Sequence, residues 1–157
     1  MLDELQPSLL LLSPGPGNPR DFALSDTIAL ALKRCIPMVG VCLGLQGLVE
    51  YYGGELGVLP YPMHGKPSTV HVHEPRGQLL HDLPATFPVG RYHSLFSLKG
   101  KHPPELRITA TTEDGVVMGI EHNTLPIAAV QFHPESIMTE TQVGLQMLQN
   151  AIQRLKY

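Results

Sequence analysis

The sequence has few cysteines, no excess of positive charge and no long hydrophobic run, and each of these shortages excludes a class of protein. Two cysteines, Cys35 and Cys42, do not make a disulfide framework, so the expected compartment is the reducing cytoplasm. A net charge of -3 offers no basic surface to nucleic acid or to an anionic membrane. The apolar run Leu9–Leu12 is far too short to span a bilayer. With 43% hydrophobic residues, residues 1–157 are expected to form one globular domain.

Strand and helix patterns alternate at the start of the chain. Leu9–Leu12 is a continuous apolar run between turn residues, which predicts a strand buried on both faces. Ser13–Pro19 is too rich in proline and glycine for regular structure, so it is expected to form a loop at the end of that strand. A helix is predicted from about Ser25, with Ser25 or Asp26 as its cap, followed by a strand over Ile36–Val41. This order indicates an α/β fold with a parallel sheet.

The middle of the chain has a different pattern, with shorter strands and more turns. The later predicted elements are a half-exposed strand over Thr69–His73, a loop over Leu79–Val89, a hairpin of Leu106–Thr112 and Val116–Glu121 around Asp114-Gly115, a strand over Pro126–Phe132, and a last helix with Thr139 and Gln142 as its capping box. The predicted apolar face of that last helix contains Val143, Met147, Ala151 and Leu155.

Cys42 lies where a predicted strand meets a predicted helix, within the segment Gly40–Gln46. The helix is predicted over Leu45–Tyr52, closed by two glycines. Glycines two positions before and after the cysteine permit the tight turn of a nucleophile elbow, here with cysteine in place of serine. A helix N-terminus offers free N–H groups and a partial positive charge, which predicts a lowered thiol pKa.

A nucleophilic cysteine needs a base, an orienting group and an oxyanion site. His133 and Glu135 follow a predicted strand end two positions apart, so the imidazole and the carboxylate can face one site. The N–H of Leu43 is the predicted first oxyanion donor, and the loop containing Gly15 and Gly17 is the predicted second.

The sequence gives less support for a functional role of the other cysteine and of three histidines. Cys35 falls late in a predicted helix and is expected to be a buried, inert residue. His71 and His73 share a strand face, but no metal-ligand spacing surrounds them, so they are expected to be exposed strand residues and no metal site is predicted. For His93 the residues leave a structural and a functional role equally open.

Four motifs, in this order, resemble the triad-type (class I) glutamine amidotransferases, and within them the glutaminase component of anthranilate synthase. The motifs are Ser13–Pro19, Gly40–Gln46, Arg91–Leu95 and Gln131–Ser136. The resemblance implies a flavodoxin-like, doubly wound α/β domain with a mostly parallel sheet. It implies Cys42 as nucleophile, His133 as base and then acid, and Glu135 as its orienting partner. Gly15 and Gly17 would frame the glutamine and its oxyanion, and Gln46, Ser94 and Leu95 would hold its amino-acid head group.

The same resemblance implies hydrolysis of L-glutamine without a cofactor, and transfer of the ammonia to a chorismate-binding synthase, either a separate subunit or a fused domain. Members of the family usually begin with a further strand, helix and strand before the Leu9 strand, so by comparison an N-terminally truncated domain is expected. Three alternatives stay open: the glutaminase of aminodeoxychorismate synthase in folate biosynthesis, a cysteine hydrolase that acts alone, and an inactive binding module.

Overall fold

The computed structural model describes residues 2–157 as a seven-stranded mixed sheet, a separate two-stranded sheet and four α-helices. The helices are α1 Leu2–Leu5, α2 Leu24–Lys33, α3 Leu43–Tyr51 and α4 Thr141–Arg154. The strands are β1 Leu10–Leu12, β2 Met38–Val41, β3 Leu56–Val58, β4 Lys66–Val72, β5 Thr86–Arg91, β6 Leu95–Ser97, β7 Leu106–Thr112, β8 Val117–His122 and β9 Ile127–Val130. Among these residues no helix is long and apolar enough to cross a membrane.

The large sheet has the order β1-β2-β9-β8-β7-β4-β5, while β3 pairs with β6. Strands β1, β2 and β9 are parallel, and the remaining pairs are antiparallel. The β5 end of the sheet curls toward β9, since Gly90 of β5 also forms an isolated antiparallel bridge with His133, just past the end of β9. The predicted α/β class is confirmed. The predicted hairpin is present as β7 and β8, with Gly115 at φ 79° in its turn.

Helices cover both faces of the sheet. Ile28 and Ala31 of α2 and Leu45 of α3 pack with Met38 and Ala129 on one face. Val143, Met147, Ala151 and Leu155, the predicted face of α4, are buried with Val39 and Val41 on the other. Successive residues of β2 therefore serve opposite layers, as the alternation of side chains along a strand requires.

The strand at Leu9–Leu12 is not buried on both faces as predicted. It is the edge strand β1, with a burial pattern that runs from intermediate to exposed to buried. Leu11 is 57% exposed, whereas Leu12 is buried against α3. A uniform leucine run contains no alternation that would reveal which face has a covering layer.

The starts of two helices differ from the predictions. Helix α2 has neither Ser25 nor Asp26 as its cap, because the preceding 3-10 turn Pro19–Phe22 runs into it through Ala23 at φ 49°. Helix α4 has Glu140 at its N-cap without a side-chain bond, so the Thr139–Gln142 capping box is wrong. The Thr139 hydroxyl instead donates to the His133 carbonyl at 2.7 Å.

Two further predictions are wrong for tertiary reasons. Cys35 is exposed and lies beyond the end of α2 at φ 52°, so it is not a buried helical residue. Part of the predicted loop Leu79–Val89 is strand β5, which contains Pro88. Strand β5 is the last in the sheet order, and an edge strand tolerates a proline that lacks an N–H donor.

Candidate active site

Cys42 occupies a strained turn between β2 and α3. Its backbone has φ 53° and ψ -98°, which is a costly conformation for a residue with a Cβ atom. The Cys42 N–H donates to the Val130 carbonyl at 2.8 Å, so the turn is tied to the end of β9. A Cβ atom on Gly44 would overlap the Leu12 carbonyl oxygen, and one on Gly40 would lie 2.8 Å from the Gly44 carbonyl carbon. The predicted glycines are therefore needed because strand and helix approach too closely for side chains.

The turn leads directly into α3, which begins at Leu43, two residues earlier than predicted. At its other end the Gly53 N–H donates to the Glu50 carbonyl and the Gly54 N–H donates to the Val49 carbonyl. Gly53 has φ 86°, so these two bonds form a Schellman cap, and the helix is closed by the two glycines as predicted. The helix that follows the cysteine is thus defined at both ends.

The thiol of Cys42 is buried, which raises its pKa to about 11. The N–H of Leu43 and the side-chain amide of Gln131 lower the pKa, and the charge of Glu135 raises it. The prediction of a lowered thiol pKa is therefore wrong, because desolvation outweighs the helix N-terminus. At neutral pH the sulfur is a protonated thiol that requires a base.

His133 and Glu135 form a short contact, with Nδ1 of the histidine 2.6 Å from Oε1 of the glutamate. A carboxylate only accepts, so Nδ1 carries the proton, and in the neutral ring Nε2 has the free lone pair. Within residues 2–157, Nε2 is buried and has no hydrogen-bond partner. The backbone of His133 is also held, because its N–H donates to the Gly90 carbonyl at 3.1 Å. This imidazole is in the tautomer of a general base.

The sheet brings Cys42 and His133 to the same edge. Strands β2 and β9 are parallel with Val41 opposite Val130, so both residues follow the carboxyl ends of neighbouring strands. Tyr92 contacts both: its carbonyl oxygen is 3.9 Å from the Cys42 sulfur, and its ring meets the His133 ring edge-on at 5.0 Å. Cys42, His133 and Glu135 thus lie at one edge of the sheet.

Gln46 and Gln131 connect the thiol to the neighbouring strand β6. Both are buried. The Gln46 amide nitrogen donates to the Leu95 carbonyl at 3.2 Å and to Oε1 of Gln131 at 3.3 Å. The Gln131 amide nitrogen donates to the Cys42 sulfur at 3.5 Å. The sequence interpretation assigned no role to Gln131, since a glutamine within a predicted strand carries no signal of its contacts.

His93 is fully engaged in the structure. Its Nε2 accepts from Nε of the buried Arg91 at 3.0 Å, and its Nδ1 donates to the Leu95 carbonyl at 2.8 Å. Burial lowers the pKa of His93 to about 4, so the ring is neutral at pH 7. Its role here is to hold the Leu95 carbonyl, the same atom that accepts from Gln46.

The predicted glycine loop lies over the elbow. A Cβ atom on Gly15 would lie 3.1 Å from Cδ2 of Leu43. Gly17 has φ 81°, and the loop ends in a capping box in which Asn18 and Asp21 bond to each other's backbone. The loop at Gly15 thus contacts the side chain of Leu43, the first residue of α3.

The carbonyls of Ser94 and Leu95 already have protein donors. The Leu59 N–H donates to the Ser94 carbonyl at 2.7 Å, and Leu95 accepts from His93 and Gln46. Both residues lie beside the site. A substrate head group that binds there would meet N–H groups or replace one of these bonds.

The described residues contain no group of three or more His, Cys, Asp or Glu side chains that could hold a metal ion. Nε2 of His73 lies 2.9 Å from the Thr111 hydroxyl, and Nε2 of His71 lies 3.7 Å from a carboxylate oxygen of Glu113. The side chains at the elbow include a thiol and an imidazole, the pair that nucleophilic attack by sulfur with an imidazole base requires.

Comparison with known proteins supplies the remaining findings. The family described as "Glutamine amidotransferase class-I" matches residues 1–154. The chain is 52% identical over 155 residues to the anthranilate synthase of Azospirillum brasilense, covering 98% of this chain and 21% of that protein. It is 41% identical over 162 residues to anthranilate synthase component 2 of Methanocaldococcus jannaschii, covering 97% of this chain and 79% of that protein.

A solved glutamine amidotransferase from Thermotoga maritima has the same fold. The TM-score is 0.76 at 18% sequence identity, with 94% of this chain and 77% of that chain covered. At this identity the likeness concerns the fold alone.

Proposed function

Because the chain belongs to the class-I glutamine amidotransferase family, we propose that it hydrolyses L-glutamine through a Cys42 thioester and supplies ammonia to anthranilate synthesis. The observation that carries this proposal is the buried, unpartnered Nε2 of His133, with Glu135 on the opposite ring nitrogen, at the sheet edge where Tyr92 contacts both His133 and Cys42. That arrangement matches the roles of nucleophile, base and orienting group. Residues 1–157 act as one glutaminase domain in this proposal.

The first half of the reaction forms the thioester. Nε2 of His133 takes the thiol proton as the Cys42 sulfur adds to the amide carbon, and the carbonyl π pair moves to oxygen. The oxyanion meets the N–H of Leu43 and the loop that contains Gly15 and Gly17. When the oxyanion collapses, the carbon–nitrogen bond breaks. The imidazolium gives its proton to the leaving nitrogen, and ammonia is released.

The second half hydrolyses the thioester. His133 takes a proton from water as the water oxygen adds to the thioester carbon. Collapse of this second oxyanion breaks the carbon–sulfur bond, and the imidazolium returns the proton to sulfur. The product is glutamate. Glu135 keeps the Nδ1 proton in place and stabilises the imidazolium in both halves.

Because the pKa of the Cys42 thiol is raised, this mechanism needs His133 as a base. A cysteine that was already ionised would need no base in the first step. The mechanism requires a base that can reach the sulfur and has no other partner. His133 follows the neighbouring parallel strand, and its Nε2 has no hydrogen-bond partner within residues 2–157. The charge that develops on sulfur then stays close to the imidazolium.

The amino-acid head group of glutamine would bind on the side of Gln46, Ser94 and Leu95. Gln46 donates to the Leu95 carbonyl and to Gln131, whose amide reaches the Cys42 sulfur. A bound head group would fix the distance to the amide carbon, which is the main contribution of a positioned substrate to rate.

The partner in this proposal is a chorismate-binding synthase that consumes ammonia, either as a separate subunit or as a fused domain, in the cytoplasm. This partner is proposed because two relatives are named as an anthranilate synthase and an anthranilate synthase component 2. The chain spans 21% of the first and 79% of the second, and in this proposal the synthase activity belongs to the partner.

The test measures glutamate release by the chain together with an anthranilate synthase component that binds chorismate. Cys42→Ala is expected to lower glutaminase activity by more than about 10³-fold, because it removes the nucleophile. Anthranilate formation with added ammonium is expected to stay at the wild-type level. Treatment with diazo-oxo-norleucine, a glutamine analogue, is expected to leave one adduct on Cys42, identified by mass spectrometry.

Cys35→Ala is the matched control, because Cys35 is the other free thiol and is exposed. It is expected to keep full activity and normal labelling. Absence of an adduct on Cys42 in folded, partner-bound protein would overturn the proposal. Equal loss of the ammonium-dependent activity in Cys42→Ala would indicate a structural role for the cysteine instead.

A further inference from the structure

Gln131 is a polar side chain at the centre of the molecule. It has no exposed surface, and its backbone N–H donates to the Met118 carbonyl at 2.9 Å. A buried amide is costly unless each of its groups has a partner. The oxygen accepts from Gln46 and the nitrogen donates to the Cys42 sulfur. Both ends of the amide are thus used at the reaction site.

The orientation of this amide follows from a backbone atom. The Leu95 carbonyl can only accept, so the end of Gln46 that contacts it must be the NH₂ group. The same NH₂ group then faces Gln131, which must present its oxygen. The remaining end of Gln131 is therefore its NH₂ group, and this group faces the sulfur. A flipped Gln131 would place two donors against each other and an oxygen against the sulfur.

A buried arginine holds the start of this chain of bonds. Nε of Arg91 can only donate, so Nε2 of His93 must accept and Nδ1 must carry the proton. That proton goes to the Leu95 carbonyl, which receives the Gln46 amide as well. Arg91 is 2% exposed, so water does not compete for this contact. Every hydrogen bond between Arg91 and the sulfur therefore pairs one donor with one acceptor.

We propose that Gln131 is a positioning residue that donates a hydrogen bond to the Cys42 thiolate and stabilises it when His133 takes the proton. The inference rests on the proposed function for the step in which the thiolate forms. In the resting state the Tyr92 carbonyl lies 3.9 Å from the Cys42 sulfur and can accept from the thiol. After ionisation that carbonyl has nothing to accept from the sulfur, whereas the Gln131 bond becomes charge-assisted and stronger.

The size of the effect follows from what a hydrogen bond to a charged group contributes. Removal of such a donor corresponds to a loss of roughly 10- to 100-fold in the population of the charged form. Gln131→Met keeps the length of the side chain and removes the donor. Gln131→Glu replaces the donor by a carboxyl group that, once ionised, repels the thiolate.

The experiment compares wild type, Gln131→Met and Gln131→Glu in the rate of Cys42 alkylation by iodoacetamide across pH 5.5 to 9. Gln131→Met is expected to react about 10-fold more slowly than wild type at each pH below the thiol pKa. For Gln131→Glu the ratio to wild type is expected to fall as pH rises, because its carboxyl group ionises. In each variant glutaminase kcat is expected to fall by about the same factor as the alkylation rate, while KM for glutamine stays within about threefold of the wild-type value.

Asn150→Leu is the matched control. Asn150 is also a buried amide, and it donates to the carbonyls of Leu79 and His81, away from the elbow. It is expected to lower the unfolding temperature without a change in the alkylation rate. Wild-type alkylation in both Gln131 variants would overturn the inference, as would an equal slowing in Asn150→Leu. Alkylation needs no glutamine chemistry, so a chain without glutaminase activity would refute the proposed function while leaving this test valid.

Discussion

Gly44→Ala tests whether the close approach of α3 to β1 sets the geometry of the elbow. Inside a helix, alanine is ordinarily more stable than glycine by about 1 kcal/mol. Here the added methyl group would overlap the Leu12 carbonyl oxygen and lie 2.8 Å from Cβ of Leu12. Ordinary carbon–carbon contacts are about 3.5–4.0 Å, so strand and helix must separate by roughly 0.7 Å or more. Such overpacking costs about 1–3 kcal/mol.

The net loss of stability is therefore about 0–2 kcal/mol, and the chain should stay folded, since domains have about 5–15 kcal/mol. Activity should suffer more. The displaced atoms belong to the first turn of α3, next to the Leu43 N–H and Cys42. A displacement of about 1 Å in a reacting group can cost 10²-fold in rate. We expect glutaminase kcat to fall roughly 100-fold while the unfolding temperature falls by a few degrees.

The assay is glutamate release in the presence of the synthase, with thermal unfolding measured on the same samples. Gly47→Ala is the control on the same helix, because the three atoms nearest to its methyl group all belong to the Leu24 side chain, with Cδ1 at 2.8 Å and Cβ at 3.3 Å, and none is a backbone atom. It should retain kcat within about threefold. Wild-type kcat in Gly44→Ala would refute the reasoning. Equal losses of kcat in the two variants would mean that general strain in α3, and not the contact with Leu12, controls activity.

Two further predictions concern pH and stability. The pKa of Cys42 is raised by burial from 9.0 to about 11, so the folded state keeps a proton that the unfolded state loses, and the unfolding free energy should fall as pH rises from about 9 to 11. Chemical denaturation of wild type and Cys42→Ala checks this, and parallel pH dependence of the two would contradict it. Burial lowers the pKa of His93 from 6.5 to about 4, so the stability that its neutral form contributes is present above pH 6.5 and is lost as pH falls to about 4. Denaturation of His93→Gln over the same range should show a shallower decline than wild type, and an equally steep decline would exclude His93 as the source.

Chemistry-bearing turns could be predicted from the sequence because their signals are local. A tight turn with a side chain at its apex needs small neighbours, and Gly40 and Gly44 on either side of Cys42 indicate such a turn. The hairpin at Asp114-Gly115 and the Schellman cap at Gly53 are local in the same way. Elements without such signals were less predictable. Pro88 led to the prediction of a loop. It lies in strand β5, which is possible because β5 is an edge strand and needs no N–H donor there.

The sequence by itself determined the α/β order, the elbow at Cys42 and the pairing of His133 with Glu135, because each depends on residues close together in the chain. The tertiary structure alone decided the state of the thiol. Desolvation by the packed core outweighs the helix N-terminus and raises the pKa of the Cys42 thiol to about 11. It also decided what surrounds the sulfur, since the Gln131 amide reaches it across 89 residues of sequence. Burial and long-range contact are properties of the folded chain, and no local pattern records them.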